Sequence, residues 1–264
     1  MMRYGLIGEK LGHSFSKIIH EKLADYTYDL IPLSLEELDV FMREKEFSAI
    51  NVTIPYKETV IPYLDEVDPK AAKMGAVNTV VQRNGKLFGY NTDYFGFRYM
   101  LEHNHIQIAG KKVLVLGRGG ASKAVIAVLE DMGAAEIHTI YYKIAEDSIS
   151  YETCYALHTD AQVIVNTTPV GMYPNSGHTP IDLTPFTNLE AVADVVYNPL
   201  RTRLVLDAEE KGCQAIGGLE MLVGQAKYAV EIFLDQSLPE DSIDVVYKDL
   251  MAERRNLVLI GMSG

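Results

Sequence analysis

Short apolar segments of strand length alternate with amphipathic stretches over the first hundred residues. Apolar runs of this length predict β-strands, with helices between them. The predicted strands are residues 3–7, 28–32 and 49–54. Ser34 and Glu37 have the spacing of a capping box, which predicts the start of a helix that runs towards Lys45.

A different pattern follows at residues 77–90. Two apolar runs, residues 77–83 and 86–90, are separated only by Asn84 and Gly85. Both residue types tolerate the positive φ that a tight primed turn requires. This segment therefore predicts a β-hairpin.

Continuous apolar strands alternate with a helical pattern from about residue 106 onwards. Residues 112–116 predict a buried strand, Gly117-Arg-Gly-Gly120 a tight turn, and residues 121–132 a helix. Further buried strands are predicted at residues 136–141, 161–166 and 191–196. Such alternation is typical of a parallel, doubly wound sheet, so the expected fold class is α/β. Residues 143–159 carry no pattern that predicts an element.

A long amphipathic helix beginning near Gly218 is predicted to return to the first domain. We therefore expect two domains. A discontinuous α/β domain comprises residues 1–100 and 218–253, and a Rossmann-like, doubly wound nucleotide-binding domain comprises residues 101–217. Residues 254–264 remain as a tail.

Charge and composition exclude several classes of protein. The 264-residue chain has a net charge of −12 and lacks a Lys/Arg stripe with interleaved aromatic residues, so no nucleic-acid partner is expected. No apolar run reaches the roughly 18–20 residues that span a bilayer, and no signal-peptide layout is present, so no membrane partner is expected. Cys154 and Cys213 stand far apart, which is typical of reduced thiols in the cytoplasm. His103 and His105 stand beside Glu102, which could hint at a metal, but no further ligand cluster supports one, so no metal is expected.

The glycine-rich turn is a candidate dinucleotide site. Glycines between a strand and a helix let the backbone approach a pyrophosphate, and the helix N-terminus offers free N–H groups. Ser122 occupies the place of the usual third Gly or Ala, and a plain tight turn is the alternative. The next strand ends at Tyr141-Tyr-Lys143 without an acidic residue for a ribose 2′-hydroxyl. Lys143 would suit a 2′-phosphate, or it is simply a solvated lysine.

A second candidate lies at Asn51-Val-Thr-Ile-Pro-Tyr-Lys57, which runs from a strand into a predicted helix start. Pro55 fits the first turn of that helix. Positive charge at the helix start would ease loss of the Lys57 proton. An ordinary surface lysine is the alternative.

Together these segments resemble the shikimate dehydrogenase family along nearly the whole chain, to about Leu250. The matching segments are, in chain order, Gly12-His-Ser-Phe-Ser16, Asn51-Val-Thr-Ile-Pro-Tyr-Lys-Glu58, Gly75-Ala-Val-Asn-Thr79, Asn91-Thr-Asp93, Val115-Leu-Gly-Arg-Gly-Gly-Ala-Ser-Lys-Ala124, Asn166-Thr-Thr-Pro-Val-Gly-Met172, Asp194-Val-Val-Tyr-Asn-Pro199 and Gly218-Leu-Glu-Met-Leu-Val-Gly-Gln-Ala226.

The resemblance implies reversible, nicotinamide-dependent reduction of 3-dehydroshikimate to shikimate, a step towards chorismate and the aromatic amino acids. It makes the discontinuous domain the substrate and catalytic domain. Ser14 and Ser16 would bind the substrate carboxylate, and Lys57 and Asp93 would form the acid–base pair, either of which could carry the proton. The other implied substrate contacts are Thr53, Asn78, Gln225 and Tyr197.

The resemblance also implies the cofactor contacts, with NADP expected in preference to NAD. The implied positions are Gly117, Arg118, Gly119, Gly120, Ala121, Lys143, Thr167, Met172, Gly218 and Met221. Among the implied substrate contacts, Tyr197 also matches positions that line the nicotinamide ring.

The chain departs from the family pattern at three places. Lys17 replaces a proline, which could loosen the serine loop, and Arg118 stands where a small residue is commoner, either reaching a phosphate or crowding it. Tyr142-Lys-Ile144 replaces Asn-Arg-Thr, which bears on the NADP preference. The alternatives are a quinate/shikimate dehydrogenase using NAD, or a non-catalytic ligand sensor on the same fold. A monomer or a homodimer is expected.

The tail ends in Asn256-Leu-Val-Leu-Ile-Gly-Met-Ser-Gly264, an apolar run followed by glycine. A strand followed by glycine is how a P-loop begins, and the run resembles the opening of a shikimate kinase. One expectation is therefore a dehydrogenase–kinase fusion, with residues 254–264 mobile or paired to a sheet edge. An ordinary terminal strand is the other.

Overall fold

The computed structural model describes residues 3–12, 14–143 and 146–261, with side chains up to residue 253. The chain divides into two compact units, residues 1–92 with 223–264 (the first unit) and residues 93–222 (the second unit). The limits predicted from sequence, residues 100 and 217, lie eight and five residues from these and stay a prediction.

The described residues form strands and helices that alternate along most of the chain. The strands are β1 Tyr4–Gly8, β2 Tyr28–Pro32, β3 Ala49–Val52, β4 Glu66–Val67, β5 Thr79–Arg83, β6 Lys86–Tyr90, β7 Lys112–Leu116, β8 Glu136–Ile140, β9 Val163–Asn166, β10 Ala191–Asp194 and β11 Gln214–Ile216. The helices are α1 Ser16–Leu23, α2 Leu35–Glu44, α3 Pro69–Met74, α4 Asp93–His103, α5 Gly120–Asp131, α6 Tyr151–Leu157, α7 Arg203–Glu210, α8 Leu219–Leu234 and α9 Ser242–Gly261, with a 3₁₀ turn at Ile61–Tyr63.

Within its described residues, the first unit holds a mixed six-stranded sheet in the order β2-β1-β3-β5-β6-β4. Strands β1, β2 and β3 run parallel, and β5 pairs antiparallel with both β3 and β6. The β5–β6 pair is the predicted hairpin, and its turn residues Asn84 and Gly85 have φ of 52° and 79°. Both angles lie in the left-handed region that Asn and Gly adopt most readily, so the prediction is confirmed.

Helix α2 begins as the capping-box pattern predicts. The Ser34 hydroxyl accepts the Glu37 backbone N–H, and the Glu37 carboxylate accepts the Ser34 backbone N–H at 2.7 Å. Two backbone donors that the helix leaves unpaired are thereby satisfied. Leu38 and Met42 on its buried face join the core of the first unit, together with Ile7, Ile50 and Val80.

The described part of the second unit forms a wholly parallel five-stranded sheet in the order β11-β10-β9-β7-β8. The strand order reverses between β7 and β9, and the carboxyl ends at such a switch point are where open α/β sheets bind ligands. Leu114, Leu116, Ile164 and Val192 are fully buried strand residues, as their continuous apolar pattern predicts. The predicted α/β class with a Rossmann-like, doubly wound sheet is confirmed.

Three segments differ from the predictions. Residues 54–60 form consecutive turns rather than an α-helix start, and the unpatterned stretch contains α6, capped by the Ser150 hydroxyl. Residues 256–261 continue α9, so the predicted terminal strand and the predicted sheet pairing there are wrong. Residues 262–264 lie outside the described part, and the kinase fusion stays a prediction. Among the described residues, no helix combines the length and apolar character needed to cross a bilayer.

Candidate active site

One edge of the first unit's sheet gathers the predicted substrate side chains. The carboxyl ends of β1 and β3 lie at this edge because the two strands are parallel. Strand β5 starts and β6 ends at the same edge, since Thr79 pairs with both Asn51 and Tyr90. The loops after β1, β3 and β6 and the residue before β5 therefore converge there.

Ser14 and Ser16 lie at the start of α1, in the loop after β1. The Ser14 hydroxyl lies 3.0 Å from that of Ser16 and accepts the Ser16 backbone N–H at 3.2 Å. Helix α1 has no side-chain hydrogen bond from its N-cap residue, Phe15. The serine pair thus combines two hydroxyls with the positive end of a helix, an arrangement that suits a carboxylate.

Lys17, which stands in place of the proline, makes two polar contacts. It is the second residue of α1, and its Nζ donates to the Tyr28 backbone carbonyl at 2.8 Å and lies 2.9 Å from Glu21. These contacts tie the helix to β2. The loosening of the loop expected from the missing proline stays a prediction.

Thr53 and Lys57 lie in the turns that follow β3, and both are half-buried. The Thr53 backbone N–H donates to Ile7 at 2.9 Å, and the Lys57 carbonyl accepts the Val77 N–H at 2.8 Å, so the loop backbone is held at both positions. No α-helix begins at Lys57 in the described chain, because residues 54–60 form turns. The prediction that the charge of a helix end acts on Lys57 is therefore wrong.

Asn78 and Gln225 meet at Thr92. The Asn78 Oδ1 atom accepts the Thr92 backbone N–H at 2.7 Å, and the Thr92 hydroxyl lies 3.5 Å from the Gln225 Oε1 atom. All three residues are buried. The two amides predicted to contact the ring hydroxyls are thus linked by one threonine.

Asp93 is the first residue of α4 and is buried, with 7% exposure. It follows Thr92 directly in sequence, but α4 belongs to the second unit whereas Lys57 belongs to the first. The pairing of Lys57 with Asp93 stays a prediction.

The glycine-rich turn joins β7 to α5 in the second unit. Gly117 has a φ of 104°, and a Cβ there would lie 2.8 Å from the Thr167 hydroxyl, so only glycine fits. Gly119 is the N-cap of α5 without a side-chain cap, and a Cβ there would meet no atom within 4 Å. Open space beside an uncapped helix start fits a pyrophosphate. Ser122 hydrogen-bonds back to the Gly119 carbonyl at 2.7 Å, which keeps its hydroxyl out of that space.

Two cations flank this turn at the carboxyl ends of β7 and β8. Arg118 donates to Asp147 at 2.6 Å, and this hydrogen bond holds the pKa of the Asp147 carboxyl below its ordinary value. The Lys143 ammonium lies 5.2 Å from the centre of the Tyr142 ring, and its hydrogen bond with Tyr142 raises the pKa of Lys143. Arg118 is therefore paired with Asp147 beside this turn. Ile144 lies outside the described residues.

The remaining cofactor positions lie at the same edge of the parallel sheet. Thr167 follows β9 and donates its hydroxyl to Leu116 at 2.6 Å, while half-exposed Met172 lies in the loop beyond it. A Cβ on Gly218 would lie 2.1 Å from the Val195 carbonyl, so no other residue fits there. Met221 is buried in the first turn of α8, and half-buried Tyr197 follows β10.

The chain is similar to known proteins along most of its length. Residues 6–80 match the family model described as the shikimate dehydrogenase substrate binding domain. Over 252 residues the chain is 40% identical to shikimate dehydrogenase (NADP(+)) of Clostridium beijerinckii, covering 89% of this chain and 93% of the relative. The chain belongs to the shikimate dehydrogenase family.

Solved structures of family members share the whole fold. Shikimate dehydrogenase 1 from Peptoclostridium difficile is 36% identical, has a TM-score of 0.88, and is matched over 96% of this chain and 99% of its own. Shikimate 5-dehydrogenase from Thermus thermophilus, solved with NADP(H) and shikimate, is 30% identical with a TM-score of 0.84, over 94% and 99% of the two chains.

Two groups of buried polar residues escaped the sequence analysis of this family member. Asp194 lies fully buried below the Thr167 loop and accepts hydrogen bonds from Asn166 at 2.9 Å, Val196 at 3.0 Å and Thr202 at 2.6 Å. Burial raises the pKa of Asp194 to about 6. Tyr28 and Asn51 form the second group, below Asn78. Asn51, Asn166 and Asp194 stood in the matched segments, but the Tyr28–Asn51 and Asn166–Asp194 hydrogen bonds join residues 23 and 28 apart in sequence.

Proposed function

We propose that this chain is an NADP-dependent shikimate dehydrogenase that reversibly reduces 3-dehydroshikimate to shikimate. The observation that carries the proposal is the single sheet edge of the first unit, where the serine pair, the Lys57 loop and the Asn78 amide converge. Carboxyl ends of strands are the usual ligand edge of α/β sheets.

The serine pair would hold the substrate carboxylate. Ser14 and Ser16 offer hydroxyl donors at the start of α1, where the helix adds partial positive charge. Hydrogen bonds to a charged acceptor are roughly twice as strong as neutral ones. Thr53, Asn78 and Gln225 would then contact the ring hydroxyls, and Tyr197 would be a further substrate contact.

Lys57 and Asp93 would handle the proton. When shikimate is oxidised, a carbon–hydrogen bond breaks with its electron pair, and the hydroxyl on the same carbon gives up its proton. Lys57 is the better candidate to accept that proton, with Asp93 orienting both the lysine and the hydroxyl. In the direction of synthesis the same pair returns the proton to the carbonyl oxygen as hydride arrives at carbon.

NADP would bind at the carboxyl ends of the parallel sheet and supply or accept the hydride. Gly117, Gly119, Gly120 and Ala121 would cradle its pyrophosphate, where an uncapped helix start faces open space. Arg118 and Lys143 would contact the 2′-phosphate. Thr167, Met172, Tyr197, Gly218 and Met221 would line the nicotinamide ring.

NAD use is the second candidate, because Asp147 already engages Arg118. The negative charge of a carboxylate repels a nearby 2′-phosphate, so this carboxylate would reduce the preference for NADP over NAD. The test of the proposed function follows absorbance at the nicotinamide band while the purified chain is mixed with shikimate and NADP. Turnover supports an enzyme, whereas binding of shikimate without turnover supports the ligand sensor.

A further inference from the structure

A chain of buried hydrogen bonds in the first unit ends on the Asn78 side chain. The Tyr28 hydroxyl donates to Asn51 Oδ1 at 2.7 Å, and Asn51 Nδ2 lies 3.1 Å from the Thr79 hydroxyl. The Thr79 hydroxyl in turn lies 2.9 Å from Asn78 Oδ1. These four residues are each at most 4% exposed, so water does not compete for their hydrogen bonds.

The donor and the acceptor of each hydrogen bond in this series follow from which groups are able to donate. Burial raises the pKa of Tyr28 well above its ordinary value, so the phenol keeps its proton and donates it to Asn51. Asn51 Nδ2 also lies 3.2 Å from the Asn78 backbone carbonyl, which can only accept. The Asn51 amide therefore has one orientation, with its nitrogen as donor to Thr79.

Asn78 is fixed from its other side by a group that can only donate. The Thr92 backbone N–H lies 2.7 Å from Asn78 Oδ1, and the Thr92 hydroxyl lies 3.2 Å from the same atom. If the Asn78 amide were flipped, its nitrogen would face a backbone N–H. The oxygen of the Asn78 amide is therefore committed to Thr79 and Thr92.

We propose that Tyr28, Asn51 and Thr79 are positioning residues that hold the Asn78 amide so that its nitrogen is the group offered to substrate. Asn78 then binds a substrate oxygen by donating a hydrogen bond to it. The inference rests on the proposed function and adds to it the role of residues that do not touch the substrate.

The size of the effect follows from the energy of an intramolecular hydrogen bond. The loss of one such bond changes an equilibrium by roughly twofold to tenfold. We call the hydrogen-bonded series Tyr28, Asn51, Thr79 and Asn78 the relay. Thr79→Val keeps the shape of the side chain but removes its hydroxyl from the relay. We therefore expect Thr79→Val to lower kcat/KM for shikimate about tenfold.

A double-mutant cycle separates positioning from a general structural effect. In an Asn78→Ala background no amide remains to be oriented, so Thr79→Val should change kcat/KM by less than about twofold there. The unfolding free energy, measured by urea denaturation, should fall less in the Asn78→Ala background, because the Thr79–Asn78 hydrogen bond is already absent there. The expected result is coupling in kcat/KM as well, measured where every variant is fully folded, which a loss of stability alone would not produce.

Tyr28→Phe provides a second variant that removes one hydroxyl at the far end of the relay. Its matched control is Tyr26→Phe, because Tyr26 stacks in the same aromatic cluster but its hydroxyl pairs with His20. Tyr28→Phe should lower kcat/KM about threefold, whereas Tyr26→Phe should leave it unchanged.

Wild-type turnover of shikimate is measured in the same series. Turnover of shikimate by the wild type supports the proposed function. The relay is then contradicted if Thr79→Val lowers kcat/KM equally in both backgrounds, or if Tyr28→Phe has no more effect than Tyr26→Phe. If wild type does not turn over shikimate, the proposed function fails and the relay's role in substrate binding fails with it.

Discussion

Arg118 Nε lies 2.6 Å from Asp147 Oδ1, and this ion pair flanks the glycine-rich turn that would receive the cofactor. Both side chains are about half-exposed, at 47% and 61%. An ion pair this exposed adds little to stability. The pair nevertheless determines the charges next to a phosphate bound at the glycine-rich turn, because Asp147 stays ionised beside Arg118.

Asp147→Asn should therefore strengthen the preference for NADP. The change removes a negative charge and releases Arg118, so KM for NADP should fall about threefold while KM for NAD stays constant. Asp160→Asn is the matched control, since Asp160 is equally exposed but pairs with Lys112 at the amino end of β7. Steady-state kinetics with both cofactors measures the effect. Equal changes in the two KM values would show that Asp147 lies away from the 2′-phosphate.

Ser14→Ala should raise KM for shikimate more than tenfold, because a hydrogen bond to a charged group contributes roughly 1.5–3 kcal/mol. Ser34→Ala is the control, since Ser34 caps α2 and has no place at the site. It should lower the unfolding free energy by about 1 kcal/mol and leave KM unchanged. Unchanged KM in Ser14→Ala would assign the carboxylate to other residues.

Lys57→Ala should reduce kcat by about 10²–10⁴-fold and leave shikimate affinity within a few-fold, as loss of an acid–base group does. Lys22→Ala is a suitable control, because Lys22 is a partly buried lysine of the same unit that pairs with Asp249 and Glu253. It should retain wild-type turnover. A Lys57→Ala enzyme that keeps most of its kcat would rule out the proton-transfer role.

Asp194 should make stability depend on pH. Its folded pKa of about 6 lies above the ordinary value of 3.8 because the carboxyl is buried. Its stabilising contribution is therefore complete below about pH 4 and is lost as the pH rises through about 6. Between pH 4 and 7 the unfolding free energy of Asp194→Asn minus that of wild type should rise by up to about 3 kcal/mol.

Urea denaturation at several pH values tests the Asp194 prediction. The control is Asp182→Asn, because hydrogen bonds from Thr184 lower the pKa of Asp182 below its ordinary value. Its difference from wild type should stay flat over the same range. A flat difference for Asp194→Asn as well would mean that this carboxyl is ionised throughout.

The sequence predicted those parts of the fold that depend on neighbouring residues. The Asn84-Gly85 turn and the Ser34–Glu37 capping box formed as expected, since each needs only a few adjacent residues. A helix start was predicted at residues 54–60 because Pro55 fits the first turn of a helix, whereas these residues form consecutive turns. Their backbone bonds, such as Val60 N–H to Tyr56, do not continue into a regular helix.

Parts of the candidate site that depend on distant residues could not be predicted. The Tyr28–Asn51 hydrogen bond joins residues 23 apart, and the Arg118–Asp147 pair joins residues 29 apart. Asp147 also lies in the stretch for which the sequence predicted no element. A single sequence does not show which distant side chains come into contact, so these partners are identified only in the folded structure.

The most direct test of this account is kcat/KM for shikimate and for quinate, each measured with NADP and with NAD. The account predicts the highest value for shikimate with NADP, with a modest preference over NAD because Asp147 engages Arg118. A higher value for quinate with NAD, or no turnover of any pair, would contradict it.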